Sequence, residues 1–241
     1  MRYLINFSYD GSMFNGYQKQ PNLRTVQGCL EDALKFINGG CCIDIHSSGR
    51  TDKGVHAYNQ YAHFDMDRSI TLYKLKCALN TYTPDDIYIK DVRIVDNDFH
   101  ARYSVLKKEY IYKLNVGEYN PVNRNYVYQY NKKLDLDILR CEIKNLIGTF
   151  DYSAFCNMED KKNSYVRTIY SADVYKSKDE IVFSFVGNGF LKYQVRNMVG
   201  ALIECSTKGR HIKDILSSKN RSSFGRIADA CGLYLNNVYY K

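Results

Sequence analysis

The stretch Gly49-Arg50-Thr51-Asp52-Lys53-Gly54-Val55-His56-Ala57 sets one carboxylate between an arginine and a lysine, in a segment closed at both ends by glycine. Cations on both sides favour the charged form of Asp52 and so lower its pKa. An ionised loop carboxylate is suited to act as a nucleophile or as a general base. Gly49 and Gly54 permit positive φ and remove side-chain bulk, as a loop that receives a substrate needs. An ordinary solvated Asp/Gly turn would read the same way in isolation.

Two further segments carry side chains with chemical use. Phe99-His100-Ala101-Arg102-Tyr103 runs on to Lys107-Lys108-Glu109-Tyr110-Ile111-Tyr112. Strand alternation there puts Tyr110 and Tyr112 on one face and Ile111 on the other. Tyr110 can then stack on a base or hydrogen-bond to it, or simply fill a half-buried strand position. The third segment, Gly189 to Gly200, contains Arg196. On a helix Arg196 sits about 100° around from Val195, at the edge of the apolar stripe. Lys192 is one turn back, and the nearest downstream carboxylate, Glu204, is two turns away. A partly buried guanidinium needs a carboxylate from another segment unless it reaches back to water. Asp52 is the candidate partner.

These residues need elements to hold them. Tyr3, Ile5, Phe7 and Tyr9 alternate as a strand, and Thr25 introduces a helical face of Val26, Leu30, Ala33 and Ile37 that Gly39-Gly40 ends. Cys42 to Ser47 and Gln60 to Phe64 are strand candidates on either side of Asp52. Leu72, Leu75 and Leu79 mark a second helix before Pro84, and Ile87 to Val95 reads as a strand. The second half repeats the order. Glu109 to Leu114 is a strand, Leu136, Leu139, Ile143 and Leu146 a helix, and Val166 to Lys176 with Glu180 to Val186 a hairpin. Leu191 to Leu202 is a helix, His211 to Leu216 a short one, and Gly232 to Tyr240 a closing strand. The expected fold class is therefore α+β. Two β-α-β-β-α-β units, ferredoxin-like or RRM-like, share a central mostly antiparallel sheet with helices on one face. The expected division is residues 1–104, carrying the Asp52 loop, and residues 105–241. The mixed cluster Glu159-Asp160-Lys161-Lys162 reads as solvated loop.

Composition narrows the partners. The 241 residues carry 34 Lys and Arg against 26 Asp and Glu, a net charge of +8, which favours a polyanion. Twenty-three tyrosines and eleven phenylalanines beside those cations suit base stacking on RNA. None of the eight cysteines forms a Cys-x-x-Cys pair, and His46, His56, His63, His100 and His211 lack ligand spacing, so no metal is expected. The start of the chain reads as a strand rather than a signal peptide, and no apolar run approaches the roughly 20 residues that span a bilayer. A reduced cytoplasmic compartment is the expectation, with no membrane partner.

The Gly49–Ala57 stretch resembles the signature of the TruA-type tRNA pseudouridine synthases. Phe99 to Tyr103 with Lys108 and Tyr110 resembles their second motif, and Leu191 to Gly200, centred on Val195 to Gly200, the third. Tyr9-Asp10-Gly11, Thr25-Val26-Gln27, Phe150 to Phe155 and Gly232 to Leu235 match in the same order along nearly the whole chain. The resemblance implies the pseudouridine synthase fold, isomerisation of uridine to pseudouridine in tRNA, and no cofactor. It makes Asp52 the catalytic aspartate, Arg196 its partner, Tyr110 the residue packed on the uracil, and Arg50 an aid to extruding the nucleotide. Substrate contacts are expected at Tyr110, Lys53, His56 and Arg102. Lys53 stands where bacterial members usually carry alanine. The family also implies a homodimer acting on the anticodon stem-loop at positions 38, 39 and 40.

Two other readings compete. A non-catalytic RNA-binding protein of two RRM-like units would not need an aspartate loop. A metal-independent hydrolase using Asp52 would need an oxyanion pocket that no segment supplies.

Overall fold

The computed structural model describes residues 1–156 and 164–241. The Glu159–Lys162 cluster lies outside the described residues. The chain divides into two compact units: Met1–Leu106 with Tyr234–Lys241, and Lys107–Leu233. The last strand groups with the first unit from Tyr234 onward.

Unit 1 follows the expected order: β1 (Arg2–Tyr9), α1 (Val26–Ile37), β2 (His46–Ser47), β3 (His56–Asp65), α2 (Leu72–Tyr82) and β4 (Ile87–Val95). β1 lies between β3 and β4, antiparallel to both. β2 pairs with β3 at His46↔His63 and Ser47↔Ala62. The terminal strand β10 (Leu233–Tyr239) joins β3 in parallel, with Tyr234↔His56 and Leu235↔Ala57. The helices begin where side chains cap them. Thr25 accepts the Gly28 N–H and Thr71 the Lys74 N–H, satisfying donors that a helix start leaves over. Val26, Leu30, Ala33, Leu34 and Ile37 are all buried, the one-sided pattern their spacing predicts. Each fully buried aliphatic side chain stabilises by about 1.5–3 kcal/mol.

Two strands differ in extent from expectation. β2 is only His46–Ser47 instead of Cys42 to Ser47, and β3 starts at His56 instead of Gln60. β3 is longer because β1 and β10 supply backbone partners for residues before Gln60.

Unit 2 contains β5 (Lys107–Asn115), β6 (Tyr128–Gln129), α3 (Leu136–Lys144), β7 (Gly148–Asp151), β8 (Val166–Ser177), β9 (Glu180–Gly187), α4 (Gln194–Lys208) and α5 (Ile212–Ser218). β9 lies between β5 and β8, and β7 pairs with the far edge of β8; these pairings are antiparallel. β6 adds in parallel at Leu114↔Tyr128. β6 and β7 are absent from the expected order. The β8–β9 hairpin turns at Lys178, whose φ is +53. α4 starts at Gln194 rather than Leu191 because Tyr193 takes φ +64, which interrupts the helical path. The whole is an α+β fold of mostly antiparallel strands with five α-helices among the described residues. No helix among them is long and apolar enough to cross a membrane.

Candidate active site

The segment between β2 and β3 is held from three sides within unit 1. The Tyr17 N–H donates to Thr51 O at 3.1 Å, and the hydroxyls of Tyr9 and Thr51 are 2.8 Å apart. The Gln60 amide donates to Gly49 O at 2.9 Å while its carbonyl oxygen accepts from Ser48 Oγ at 2.5 Å. The Val55 N–H closes a turn on Asp52 O at 3.2 Å, with Gly54 at φ +78. That conformation is why a glycine follows Lys53.

Close approach explains a second glycine. A Cβ on Gly11 would lie 2.0 Å from Val55 O, so the backbone after Asp10 passes against the far end of the loop. His56 Nδ1 lies 3.1 Å from the Gly11 backbone nitrogen and 3.2 Å from Asp10 Oδ1. The His56 ring stacks on Tyr234 at 4.7 Å, and Tyr234 stacks on Tyr58 at 4.9 Å. These contacts fix the backbone on both sides of Asp52.

Of the expected site residues in this unit, Asp52 is half-buried, whereas Arg50 and Lys53 are exposed. His56 is 2% exposed. Its contacts make it part of the loop's support. Burial raises the Tyr9 phenol to about 12, the Thr51 hydroxyl offsetting part of that rise, so Tyr9 stays protonated. Arg102 is exposed on the segment after β4, beside Tyr103.

Unit 2 carries the other two. Tyr110 lies on β5 opposite Phe185, nearly buried, with its ring 5.1 Å from Phe190 in an edge-to-face arrangement. Tyr110, Tyr112 and Leu114 are buried on one face, while Ile111 and Lys113 are half-buried, the alternation the sequence predicts. Arg196 is half-buried in the first turn of α4. Its Nε donates to Ala228 O at 2.8 Å, and its guanidinium lies 5.5 Å from the Tyr193 ring centre. Sequence neighbours offer no local partner, but residue 228 does. The chain there comes so close that a Cβ on Gly200 would meet Arg226 O at 2.0 Å. Gly200 is therefore required for residues 226–228 to reach Arg196.

Tyr9, Gln60, Gly11 and Ala228 are the supporting residues that sequence reasoning did not single out for these roles. Only the Tyr9-Asp10-Gly11 triplet gave a sequence signal. The described residues include no group of three or more His, Cys, Asp or Glu placed to hold a metal ion.

The sequence profile of the tRNA pseudouridine synthase family matches residues 5–104 and 143–241. The chain belongs to that family. As a tRNA pseudouridine synthase family member it is similar over its whole length to curated relatives. The "tRNA pseudouridine synthase A" of Streptococcus agalactiae serotype Ia is 43% identical, covering 100% of this chain and 95% of the relative. Those of Anoxybacillus flavithermus and a Geobacillus species are 43% and 44% identical, each covering 99% of this chain and 98% of theirs. The profile includes Asp52, Arg102 and Arg196, while Tyr110 falls between its two matched stretches. The pseudouridine synthase fold expected from sequence is the family's own.

Proposed function

We propose that this chain isomerises uridine to pseudouridine in tRNA, with Asp52 as the catalytic carboxylate. The observation that carries the reading is a half-buried aspartate in a loop clamped by Tyr9, Tyr17 and Gln60, in a chain of the tRNA pseudouridine synthase family. The reaction breaks the bond from the sugar C1′ to N1 of uracil and forms one from C1′ to C5. The C5 proton leaves and N1 takes one up, so atoms and electrons balance without an external reagent. The base must leave its stack to turn over, at a cost of a few kcal/mol that phosphate and stacking contacts offset. Asp52 either attacks the sugar or removes a proton from it; both routes need an ionised carboxylate held in one geometry.

In this reading Arg196 pairs with Asp52 and holds it ionised, and Tyr110 packs on the uracil. Arg50 assists extrusion of the nucleotide, and Lys53 and Arg102 contact the RNA. The enzyme works in the cytoplasm as a homodimer on the anticodon stem-loop, at positions 38, 39 and 40. The net charge of +8 favours the tRNA encounter.

Position-resolved pseudouridine mapping of tRNA from cells lacking the protein, with and without the purified protein added back, tests the assignment. Loss of pseudouridine at 38–40 and its return on addition is expected. Binding of tRNA without any conversion would instead mean an RNA-binding protein that is not an enzyme.

A further inference from the structure

Unit 1 carries a second aromatic cluster, separate from the Asp52 loop. His46, His63 and His100 come together: ring centres are 4.6 Å apart for His63–His100, 5.0 Å for His46–His63 and 5.7 Å for His46–His100. Tyr103 extends the row, 4.4 Å from His100, and the Arg102 guanidinium lies 5.9 Å from the Tyr103 ring. The members differ in access. His63 is buried, His100 half-buried, and His46, Arg102 and Tyr103 exposed, with Tyr103 at 78%.

The cluster is fixed in place. His63 Nδ1 accepts the Ala101 N–H at 3.1 Å, and His100 Nδ1 accepts the Arg102 N–H at 3.1 Å. The His100 N–H donates to Ser104 Oγ, and the Ser104 N–H to His100 O. Arg2 binds Asp65 through two nitrogens and donates to Phe99 O at 2.9 Å, tying the same segment to the sheet. His63 and His100 therefore serve as acceptors, a role only neutral imidazole can fill. The exposed part of the cluster is the rings of His46 and Tyr103, mutually tilted with His100 between them, beside one guanidinium.

We propose that His46, His100, Tyr103 and Arg102 form a platform on which an unpaired nucleobase of the RNA substrate stacks. The proposal rests on the reading that this chain acts on tRNA, and it adds a contact outside the catalytic loop. Aromatic rings with an adjacent guanidinium suit a base and its phosphate: stacking is tolerant of base identity, and the cation meets the backbone. The excess of cations over the whole chain favours the same anionic partner.

Two measurements on the full chain test it: tRNA affinity across a salt series, and fluorescence of a single-stranded RNA oligonucleotide carrying one 2-aminopurine. Tyr103→Ala is expected to weaken tRNA binding about tenfold, the lower part of the range for losing one stacked base. Tyr103→Phe, which keeps the ring, should stay within about twofold. Arg102→Gln should reduce the salt slope by about one, whereas Tyr103→Ala should leave it unchanged. The wild-type chain should quench 2-aminopurine, and Tyr103→Ala and His46→Ala should relieve the quenching. Because Tyr103 is exposed, melting temperature serves as the control for folding. Tyr103→Ala with wild-type affinity and wild-type quenching would overturn the platform. The oligonucleotide assay needs no turnover, so a wild-type chain that quenches but never makes pseudouridine would sink the functional reading and leave the platform standing.

Discussion

The hydroxyls of Tyr9 and Thr51 lie 2.8 Å apart, and Thr51 immediately precedes Asp52. The phenol is buried and stays protonated, so it acts as a fixed strut under the loop. Tyr9→Phe keeps the ring and removes the strut. A neutral hydrogen bond contributes about 0.5–1.5 kcal/mol, so kcat is expected to fall roughly two- to tenfold. Steady-state kinetics with the melting temperature alongside check this. An unchanged kcat would mean that the loop does not depend on Tyr9.

Gly11→Ala puts a methyl group 2.0 Å from the carbonyl oxygen of Val55, which is backbone and cannot swing aside. The cost should be about 3 kcal/mol or more. For a chain of this size that lowers the melting temperature by about 6–12 °C. Gly39 makes the contrast, since a Cβ there meets nothing within 4 Å and only its φ of +68 resists substitution. Gly39→Asn should be tolerated within about 1 kcal/mol, as asparagine adopts that conformation readily. Thermal melts of the two variants give the comparison.

Burial, with His100, Arg2 and His46 nearby, lowers the His63 pKa to about 4. The unfolded chain binds the proton near pH 6.5 and the folded one does not until about pH 4. Stability conferred by neutral His63 is therefore complete above pH 6.5 and is lost as pH falls from there towards 4. The shift corresponds to about 3 kcal/mol at most. His63→Gln, which retains an acceptor for the Ala101 N–H, should flatten the stability profile between pH 6.5 and 4. Denaturant melts at several pH values measure it, and a profile identical to wild type would refute the assignment to His63.

Glu142 shows the opposite type of group. Burial acts to raise its pKa, but hydrogen bonds from His211, the Ile212 N–H and Asn145 outweigh burial and lower it. Its contribution is present above the ordinary carboxylate range and disappears as pH falls through its folded pKa. Glu142→Gln should cost stability at pH 7 and lose that penalty on acidification. Chemical denaturation at pH 7 and pH 3 separates this from a pH-independent packing defect.

Arg196 donates to Ala228 O within its own unit and, in the proposed site, also holds Asp52. Arg196→Met removes both. Leaving a half-buried charged group without its partner costs about 1–3 kcal/mol, so melting temperature and activity should fall together. A double-mutant cycle with Asp52→Asn should give a stability coupling of about 1–3 kcal/mol. Additive effects would dissolve the pairing.

Much of the fold was legible because its signals are local. Thr25 sits where its side chain caps a helix, and Ile87 to Val95 stands as one strand after Pro84. The parts that were not legible depend on distant partners. Tyr234 pairs with His56, and no feature of either segment announces a parallel contact across so long a separation. β6 has two residues and exists only because Leu114 and Asn115 offer it an edge. The start of α4 was misplaced because a tyrosine, Tyr193, takes a left-handed conformation that its residue type does not suggest. The Asp52 loop showed itself through residue types at fixed spacing. Its support by Tyr9 and Gln60 did not, since side-chain hydrogen bonds leave no periodicity in a sequence. The burial of His56 under Tyr234 was not legible either, because it depends on the distant last strand.

The most direct test of the central claim compares single-turnover pseudouridine formation with tRNA affinity for Asp52→Asn. The substitution keeps the shape of the side chain and removes the charge on which either chemical route depends. Conversion should become undetectable while Kd stays within a few fold of wild type. Pseudouridine formed at a substantial fraction of the wild-type rate would contradict the account.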